Sequence, residues 1–157
     1  MSYKVQWTSK FKKDYKLIQK RGYKIELYDP NIHYGIEEFC EKIGPTGFAR
    51  SIRYNLSKEK PNPFLVVSEN GKVVGWTGAM YTEPSGRAHF DGIIVDPDVR
   101  GGGLGKTLFC SLGDYSKKNG SSFMTFFTGL DNPARYIYMY AGHKIIQSFA
   151  VMRKELK

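Results

Sequence analysis

A glycine-rich turn between an apolar run and a periodic segment constrains this sequence more than any other feature. The run ends at Ile93-Ile94-Val95, and Gly101-Gly102-Gly103 leads into a segment of helical periodicity over 103–118. A strand end, a turn without side chains and a helix N-terminus together leave several backbone N–H groups unpaired beside the positive end of a helix dipole. Such a junction favours a phosphate or diphosphate, and Arg100 and Lys106 add positive charge at its rim.

Two established phosphate-binding patterns fail on this turn. A P-loop needs Gly, four residues and then Gly-Lys-Ser/Thr; residues 105–107 supply the end, but the first glycine would fall on Arg100. A dinucleotide-binding Gly-x-Gly-x-x-Gly that begins at Gly101 would place its third glycine on Lys106. What the turn does contain is Arg-x-x-Gly-x-Gly, formed by Arg100, Gly103 and Gly105.

The rest of the chain mixes strand-like and helix-like segments. Asn70-Gly71 favours a type I′ hairpin turn, because both central residues of that turn need a positive φ. Asp29-Pro30 is typical of a helix start and Gly44-Pro45 of a helix end. The predicted strands are 5–7, 23–28, 64–69, 72–81, 88–95, 123–128, 145–149 and 151–155, and the predicted helices are 30–43, 48–56, 103–118 and 133–141. This mixture indicates an α/β or α+β fold with a mostly antiparallel sheet.

Two segments resemble motifs of the GNAT family of N-acetyltransferases. Arg-x-x-Gly-x-Gly, preceded by an apolar strand and Asp96-Pro97, is similar to the acetyl-CoA-binding loop of that family. The segment 131–143 is similar to its late helix, written roughly Asn-x-x-Ala-x-x-Leu-Tyr-x-x-x-Gly-Phe, with Ala134, Tyr138 and Gly142 in register. The departures are Asp131 for Asn, Ile137 for Leu and His143 for Phe, and Asn132 lies one place late. The resemblance covers about residues 24–157.

The resemblance implies an α/β (α+β) fold in which helices flank a mixed, mostly antiparallel and splayed sheet. It also implies an enzyme that uses acetyl-CoA as co-substrate and acetylates a primary amine by direct attack in a ternary complex. The thioester would lie where strand 88–95 diverges from strand 123–128, and backbone groups of the first strand would pair with the pantetheine amides. The positions that match coenzyme contacts of the family are Ile93, Ile94, Val95, Arg100, Gly101, Gly102, Gly103, Leu104, Gly105, Lys106, Asp131, Asn132, Ala134, Arg135 and Tyr138.

The transfer would need a base and an acid. An acceptor amine must lose a proton before it attacks, because its pKa lies near the ~10.4 of a lysine side chain. The resemblance places His89 where histone-type members carry their base, and on a strand over 88–95 Asp91 shares its face and could assist it or act through a water. Glu83 is a third candidate, and the alternative is that His89 and Asp91 are ordinary solvent-facing residues. Tyr138 matches the acid of the family, whose phenol protonates the departing thiolate.

The two cysteines give little support to other chemistry. They are too few for a disulfide framework, and Cys40 and Cys110 fall on inner positions of predicted helices, where cysteine usually packs as a small hydrophobic residue. We therefore expect no acetyl-cysteine intermediate. No cysteine–histidine cluster in the sequence predicts a metal site.

Most of the net charge lies at the start of the sequence. Residues 1–24 contribute +7 of the net +9, and Phe11, Tyr15 and Ile18 recur among them at helical spacing. The pattern predicts a basic helix that docks its apolar stripe on the rest of the protein. The alternative is an electrostatic footprint for RNA, a ribosome or anionic lipid.

The domain division follows from the same contrast. We expect a basic arm at residues 1–22 and an acetyltransferase domain at residues 23–157. Residues 7–23 also resemble the opening of bacterial mRNA-interferase toxins, but the histidine-rich catalytic part of those toxins has no counterpart in this sequence.

Composition excludes some classes and leaves others open. No apolar run approaches the roughly 18–20 residues of a membrane-spanning helix, and the first residues lack the apolar core of a secretory signal. We therefore expect a cytoplasmic protein. Besides the enzyme, the open alternatives are a non-catalytic acyl-CoA-binding or regulatory module and an RNA- or ribosome-associated protein that works through residues 1–24. A homodimer also stays open, and the acceptor amine is not identified by these residues.

Overall fold

The computed structural model describes residues 8–155 of the 157 residues of the chain. The predicted strand at 5–7 lies outside the described residues. The helices are α1 (Ser9–Lys20), α2 (Ile36–Lys42), α3 (Gly47–Leu56), α4 (Leu104–Lys118) and α5 (Arg135–Tyr140). The strands are β1 (Tyr23–Leu27), β2 (Leu65–Glu69), β3 (Lys72–Gly78), β4 (Tyr81–Thr82), β5 (Ala88–His89) and β6 (Gly92–Val95). Within residues 8–155 no helix has both the length and the apolar character that a membrane crossing requires.

Four of the strands form an antiparallel sheet in the order β1-β2-β3-β6, and β4 pairs separately with β5. The turn between β2 and β3 contains Asn70 and Gly71, whose φ values of 49° and 86° are both left-handed. The hairpin predicted from this dipeptide is confirmed. β6 pairs with β3 and forms one edge of the sheet, so the other side of β6 is open among the described strands.

Helices cover both faces of the sheet. Because side chains alternate between faces along a strand, Val66 and Trp76 pack with residues of α2 and α3. Val67 and Val74 pack on the opposite face with residues of α1 and α4. Burial on both faces explains why these strands appear in the sequence as apolar runs. The mixed α/β class, with a mostly antiparallel sheet between helices, is confirmed.

The basic helix α1 packs against the rest of the protein. Thr8 caps the helix by accepting a hydrogen bond from the Phe11 N–H at 3.2 Å. Phe11 and Ile18 are buried, and Ile18 belongs to the same core as α4 and β1. Asp14 accepts a hydrogen bond of 2.5 Å from the hydroxyl of Tyr140 in α5. The apolar stripe therefore faces the core, while the lysines of α1 are exposed.

Two elements differ from the sequence prediction. α2 begins at Ile36 rather than at residue 30, because Gly35 takes a left-handed φ of 74° directly before it. The strand expected over 88–95 is split into β5 and β6, which pair with different strands. At the break, the Phe90 ring packs edge-on against Phe109 and Phe126, with centroids 5.6 and 5.3 Å apart. This aromatic contact lies where the chain passes from one pairing to the other.

The last three predicted strands do not form within the described residues. In the segment 123–128, Phe123 forms an isolated β-bridge with Arg87. The rest of the segment pairs with no described strand. Ile146 and Val151 are 83% and 99% exposed, and no strand is present in 143–155. A strand needs a paired neighbour for its backbone groups, and residues 124–128 offer no paired edge that the last segments could join. The strand predictions at 145–149 and 151–155 are therefore wrong for this structure.

Candidate functional site

The loop between β6 and α4 is held at its start by charged side chains. Asp96 accepts a hydrogen bond from the Asp98 N–H at 2.9 Å, which begins a 3₁₀ turn. Lys42 of α2 donates from Nζ to the carboxylates of Asp96 and Asp98, each at 2.6 Å. These hydrogen bonds raise the pKa of Lys42, and the bond to Asp96 has the larger effect. Arg100 donates from Nε to the carbonyl oxygen of Val95 at 3.0 Å. Arg100 thus folds back onto the strand end and fixes the direction in which the loop leaves β6.

The three consecutive glycines are needed for different reasons. Gly101 and Gly103 have φ values of 86° and 81°, in the left-handed region that other residues rarely adopt. Gly102 has no such φ, but a Cβ placed on it would collide with the guanidinium of Arg21. The turn therefore combines two positions that need glycine for backbone conformation with one that needs it for close approach.

The start of α4 presents backbone donors without acceptors. Gly103 is the N-cap and provides no capping side chain, and the Thr107 N–H donates to the Gly103 carbonyl at 3.0 Å. No described residue accepts a hydrogen bond from the backbone N–H groups between Gly101 and Lys106. These groups lie at the positive end of the α4 dipole. The donor set therefore suits a phosphate or diphosphate group.

The open edge of β6 leads directly into this loop. The Asp96 N–H donates to the Val74 carbonyl of β3 at 2.9 Å, and backbone groups alternate between the two sides of a strand. The N–H groups of Ile93 and Val95 therefore face the open edge, whereas that of Ile94 faces β3. The side chains of Ile93 and Val95 are buried in the core with residues of α4. The edge thus offers backbone donors two residues apart, the spacing that an added extended chain uses.

An acid–base cluster lies beside the break between β5 and β6. His89 Nε2 is 3.0 Å from Asp91 Oδ1, and His89 Nδ1 is 3.8 Å from Glu83 Oε1. The Tyr81 ring stacks on the imidazole with centroids 4.3 Å apart. Arg87 donates to both carboxylate oxygens of Glu83, at 2.9 and 2.6 Å, and these hydrogen bonds lower the pKa of Glu83. The three candidates from the sequence, His89, Asp91 and Glu83, are therefore brought together.

Their roles within the cluster differ. Glu83 is held ionised by Arg87, which occupies both of its carboxylate oxygens. The side chains of His89 and Asp91 are 28% and 33% exposed, so both are reached by solvent. The pair His89–Asp91 is therefore the part of the cluster that an incoming group can reach.

Tyr138 lies on α5 in an aromatic cluster. Its ring centroid is 4.5 Å from that of Phe126 and 4.8 Å from that of Phe109. Burial raises the pKa of the Tyr138 hydroxyl, so the phenol stays protonated at neutral pH. No described residue hydrogen-bonds this hydroxyl. It is therefore available as a proton donor.

His143 belongs to the same aromatic cluster. Its ring centroid lies 5.2 Å from Phe109 and 5.3 Å from Phe126. Its Nδ1 is buried without a hydrogen-bond partner. Burial lowers the pKa of His143 and is the larger influence. The nearby backbone of Tyr138 raises the pKa by a smaller amount. The imidazole is therefore held in its neutral form.

The side chain of Asn132 is used locally. It accepts a hydrogen bond from the Ala134 N–H at 3.0 Å and donates to Thr128 Oγ1 at 3.2 Å. The neighbouring Asp131 is exposed. The structure therefore uses Asn132 to begin the turn into α5, whereas the resemblance suggested a coenzyme contact.

The helices α4 and α5 pack closely at the start of α4, next to the loop. A Cβ on Gly105 would come within 3.0 Å of Ile137 Cδ1, so this glycine permits the close approach of the two helices.

The basic side chains at this contact have partners within the protein. Lys106 Nζ lies 4.7 Å from the centroid of the Tyr140 ring. Arg135 is half-buried and donates to the Tyr136 hydroxyl at 3.2 Å. Lys106 and Arg135 therefore have local partners, and Leu104 is buried and can offer only its backbone.

The cysteines are unsuited to nucleophilic chemistry. Both are free thiols. Burial raises the pKa of Cys40, and it raises the pKa of Cys110 to about 11. A protonated thiol is a weak nucleophile. Within the described part of the chain, no group of three or more histidine, cysteine, aspartate or glutamate side chains is placed to hold a metal ion.

Sequence reasoning missed two contributors, and it did not anticipate a cleft. Arg21 reaches Gly102 from 81 positions away, so no local pattern could reveal it. Arg87 stands four residues after Glu83, and this opposite-charge spacing was a usable signal. An open cleft of about 540 Å³ runs along α3 between Pro45 and Ser57. None of its lining residues belongs to the loop, to β6 or to the His89 cluster.

Comparisons with known proteins agree with this geometry. The profile of the acetyltransferase (GNAT) family matches residues 29–141. An uncharacterized N-acetyltransferase of Methanocaldococcus jannaschii is 33% identical over 82 residues, which cover 49% of this chain and 36% of that protein. The chain therefore matches about a third of the length of that relative.

Two solved structures share the fold at low sequence identity. Glucosamine-6-phosphate N-acetyltransferase from Arabidopsis thaliana matches with a TM-score of 0.58 and 19% identity, over 86% of this chain and 99% of that one. AAC(6′)-Iy in complex with the bisubstrate analog CoA-S-monomethyl-acetylneamine matches with a TM-score of 0.60 and 15% identity, over 85% of this chain and 99% of that one. Since the family profile covers most of the sequence and the architecture agrees with it, this chain belongs to the acetyltransferase (GNAT) family.

Proposed function

We propose that this chain is an acetyl-CoA-dependent N-acetyltransferase that acetylates a primary amine by direct attack in a ternary complex. The observation that carries the proposal is the junction of β6 and α4, where an open strand edge leads directly into a loop of unpaired N–H groups. Coenzyme A needs both features, because it joins a diphosphate to a chain that contains two amides. Membership of the family supports the same choice.

Backbone groups would do most of the binding. The N–H groups between Gly101 and Lys106 would hold the diphosphate, and those of Ile93 and Val95 would pair with the pantetheine amides. When bound, acetyl-CoA supplies an acetyl group that is activated as a thioester. A backbone N–H of β6 would also stabilise the negative charge that develops on the acetyl oxygen.

His89 is the proposed general base. The imidazole would first take the extra proton of the acceptor ammonium, and the free amine nitrogen would then form its bond to the acetyl carbon. Asp91, 3.0 Å from Nε2, would orient the ring and stabilise the imidazolium that results. Tyr81 stacks on the ring and limits its rotation. Glu83 would contribute charge near Nδ1 while Arg87 keeps it ionised.

Tyr138 is the proposed general acid. As the carbon–sulfur bond breaks, the departing thiolate would take the phenol proton. The raised pKa of Tyr138 favours this role, because the hydroxyl then carries its proton through the neutral range. The acetylated nitrogen would give its remaining extra proton to the tyrosinate, and His89 would release its proton to solvent, so both groups regain their starting states.

The acceptor stays open. The two solved structures named above are a glucosamine-6-phosphate N-acetyltransferase and a complex with the bisubstrate analog CoA-S-monomethyl-acetylneamine. One architecture thus serves different acceptors, so the fold alone does not select one. A cytoplasmic location, a homodimer and contact of residues 1–24 with nucleic acid likewise stay predictions.

A non-catalytic acyl-CoA-binding module is the second candidate. It is favoured by the exposed Asp131, which stands where the family pattern has Asn, and by the local use of the Asn132 side chain. Such a module would bind coenzyme A and release no thiol with any amine.

One experiment separates these possibilities. The protein is incubated with acetyl-CoA and a panel of small amines, peptides and proteins, and free thiol and acetylated product are both measured. The proposal expects thiol release that depends on an amine and matches acetylated product mole for mole. Coenzyme binding without turnover would favour the non-catalytic module, and absence of coenzyme binding would contradict both.

A further inference from the structure

Arg21 reaches the glycine-rich loop from the opposite end of the sequence. Its Nη1 donates to the Gly102 carbonyl oxygen at 3.3 Å. The whole guanidinium lies against the bare Cα of Gly102, because a Cβ there would contact Nη1, Cζ and Nη2. The positive group of Arg21 is therefore spread over the middle of the loop whose N–H groups lack acceptors.

Local structure explains how Arg21 reaches this position. α1 ends at Lys20, and Arg21 is its C-cap residue, with a backbone N–H that bonds back into the last turn. Gly22 follows with a left-handed φ of 87°, which directs the chain into β1. The guanidinium carbon lies 5.8 Å from the centroid of the buried Tyr23 ring. Helix end, turn and ring together hold the side chain toward the loop.

The guanidinium has donors to spare. Among the described residues, no carboxylate lies within ion-pair distance of Arg21, and the Gly102 carbonyl accepts one of its five N–H groups. The side chain is exposed at this end. A planar fork of donors with no anionic partner, placed on an anion-binding loop, matches the geometry of a phosphate group.

We propose that Arg21, from the helix that precedes the family domain, binds a phosphate group of the coenzyme together with the N–H groups of the loop. The inference rests on the proposed function and adds a phosphate-binding residue outside the matched residues 29–141. It also gives part of the positive charge of residues 1–24 a role at the coenzyme site. The phosphate is either the diphosphate or the 3′-phosphate, and both present the same chemistry to a guanidinium.

The direct test is the affinity of Arg21→Gln for three probes, measured by calorimetry or by competition. The probes are coenzyme A, 3′-dephospho-coenzyme A and pantetheine, which has no phosphate. A lost charge-assisted contact should weaken coenzyme A binding about 10- to 100-fold. The dissociation constant for pantetheine should not change. Arg21→Lys keeps a positive charge but loses the planar set of guanidinium donors. Its affinity for coenzyme A should therefore lie between those of the wild type and Arg21→Gln.

The matched control is Lys24→Gln. Lys24 is exposed on β1, carries the same charge and lies three residues from Arg21. Its removal should change coenzyme A affinity less than about threefold, since it acts only through screened, long-range attraction. Equal losses in Lys24→Gln and Arg21→Gln would overturn the proposal in favour of a general basic surface.

A second variant acts on the same contact from the loop side. Gly102→Ala places a methyl group where the guanidinium now lies, and the φ of Gly102 is not left-handed, so the fold can accept alanine once the flexible side chain moves. Gly102→Ala should weaken coenzyme A binding in the wild type. In the Arg21→Gln background, Gly102→Ala should weaken coenzyme A binding less, because the guanidinium that the methyl group would displace is already absent.

The outcomes separate this inference from the proposed function. The 3′-dephospho probe identifies the phosphate: if Arg21→Gln weakens both nucleotide probes equally, the contact is with the diphosphate. A loss confined to coenzyme A indicates the 3′-phosphate. Weakened pantetheine binding would show that Arg21 only shapes the loop, and unchanged coenzyme A binding would exclude the contact. Absence of coenzyme A binding by the wild type would contradict the proposed function itself.

Discussion

Replacing His143 by phenylalanine should stabilise this protein. Nδ1 of His143 is buried without a partner, in a ring cluster with Phe109 and Phe126 at 5.2 and 5.3 Å. An unsatisfied buried polar group costs about 1–3 kcal/mol. Because the residue as a whole is only half-buried, we expect a gain near the lower end, about 1 kcal/mol. A phenyl ring keeps the aromatic contacts and removes the orphaned atom.

The substitution should also change the pH dependence of stability. Burial lowers the pKa of His143 in the folded state, whereas an unfolded histidine titrates near ~6.5. Below that pH the unfolded chain binds a proton that the folded protein does not, so stability falls as pH decreases. His143 can lower the free energy of unfolding by at most about 1.4 kcal/mol for each pH unit of acidification. This loss stops below the pKa of His143 in the folded state, where both states carry the proton. His143→Phe lacks this contribution.

Urea denaturation at pH 7.5, 6.5 and 5.5 measures both effects. The free energy of unfolding of His143→Phe should exceed that of the wild type at pH 7.5, and the difference should grow toward pH 5.5. The matched control is His33→Phe, because His33 is also buried but its Nδ1 and Nε2 contact the Asp29 N–H and Glu26 at 2.9 and 3.1 Å. The same substitution there should destabilise. If His143→Phe is no more stable than the wild type, or if its excess does not grow on acidification, the reasoning is refuted.

Three further outcomes are expected. Tyr138→Phe should lower kcat by about 10²- to 10⁴-fold with little change in the dissociation constant of coenzyme A; an unchanged kcat in a thiol-release assay would remove Tyr138 from the chemistry. His89→Gln should lower kcat similarly near neutral pH, and activity should recover as the pH approaches the ~10.4 of a free amine, which a pH–rate profile checks. Gly105→Val should cost about 1–3 kcal/mol in urea denaturation because its side chain meets Ile137. Gly113→Ala, a site in α4 with open space around it, should instead gain about 0.5–1 kcal/mol, and equal effects at the two glycines would contradict the packing described.

The parts of the fold that were predictable are those set by local geometry. Asn70-Gly71 specified its hairpin because two successive positive φ values leave few other choices. The turn at 101–103 was recognisable for the same reason, since two of its three glycines are required by backbone conformation. The buried stripe of α1 followed from helical spacing, and Phe11 and Ile18 lie in the core as that spacing indicates.

The parts that were not predictable depend on distant partners. Periodicity over 88–95 indicated one strand, but β5 and β6 pair with different neighbours, and no pattern within the segment encodes that exchange. The segments 145–149 and 151–155 have strand-like composition, yet a strand forms only where an edge accepts it. Asp29-Pro30 looked like a helix start, but His33 draws the backbone into a turn by accepting from the Asp29 N–H at 2.9 Å.

The candidate site was predictable in the same uneven way. Gly101, Gly103 and Tyr138 could be proposed from motifs, because a motif fixes residue type and spacing. The proximity of His89 and Asp91 was expected from one continuous strand over 88–95, and it is present at 3.0 Å although Asp91 lies in the break between β5 and β6. Arg21 could not be proposed, since its contact with Gly102 exists only after α1 has packed on the core.

The most direct test of the central claim is a titration of ¹⁵N-labelled protein with coenzyme A, followed by backbone amide chemical shifts. If the N–H groups at the start of α4 bind the diphosphate, the largest shifts belong to residues 101–106, with smaller ones along the β6 edge. Shifts that instead concentrate along α3 between Pro45 and Ser57, or that are absent at saturating ligand, would contradict the claim.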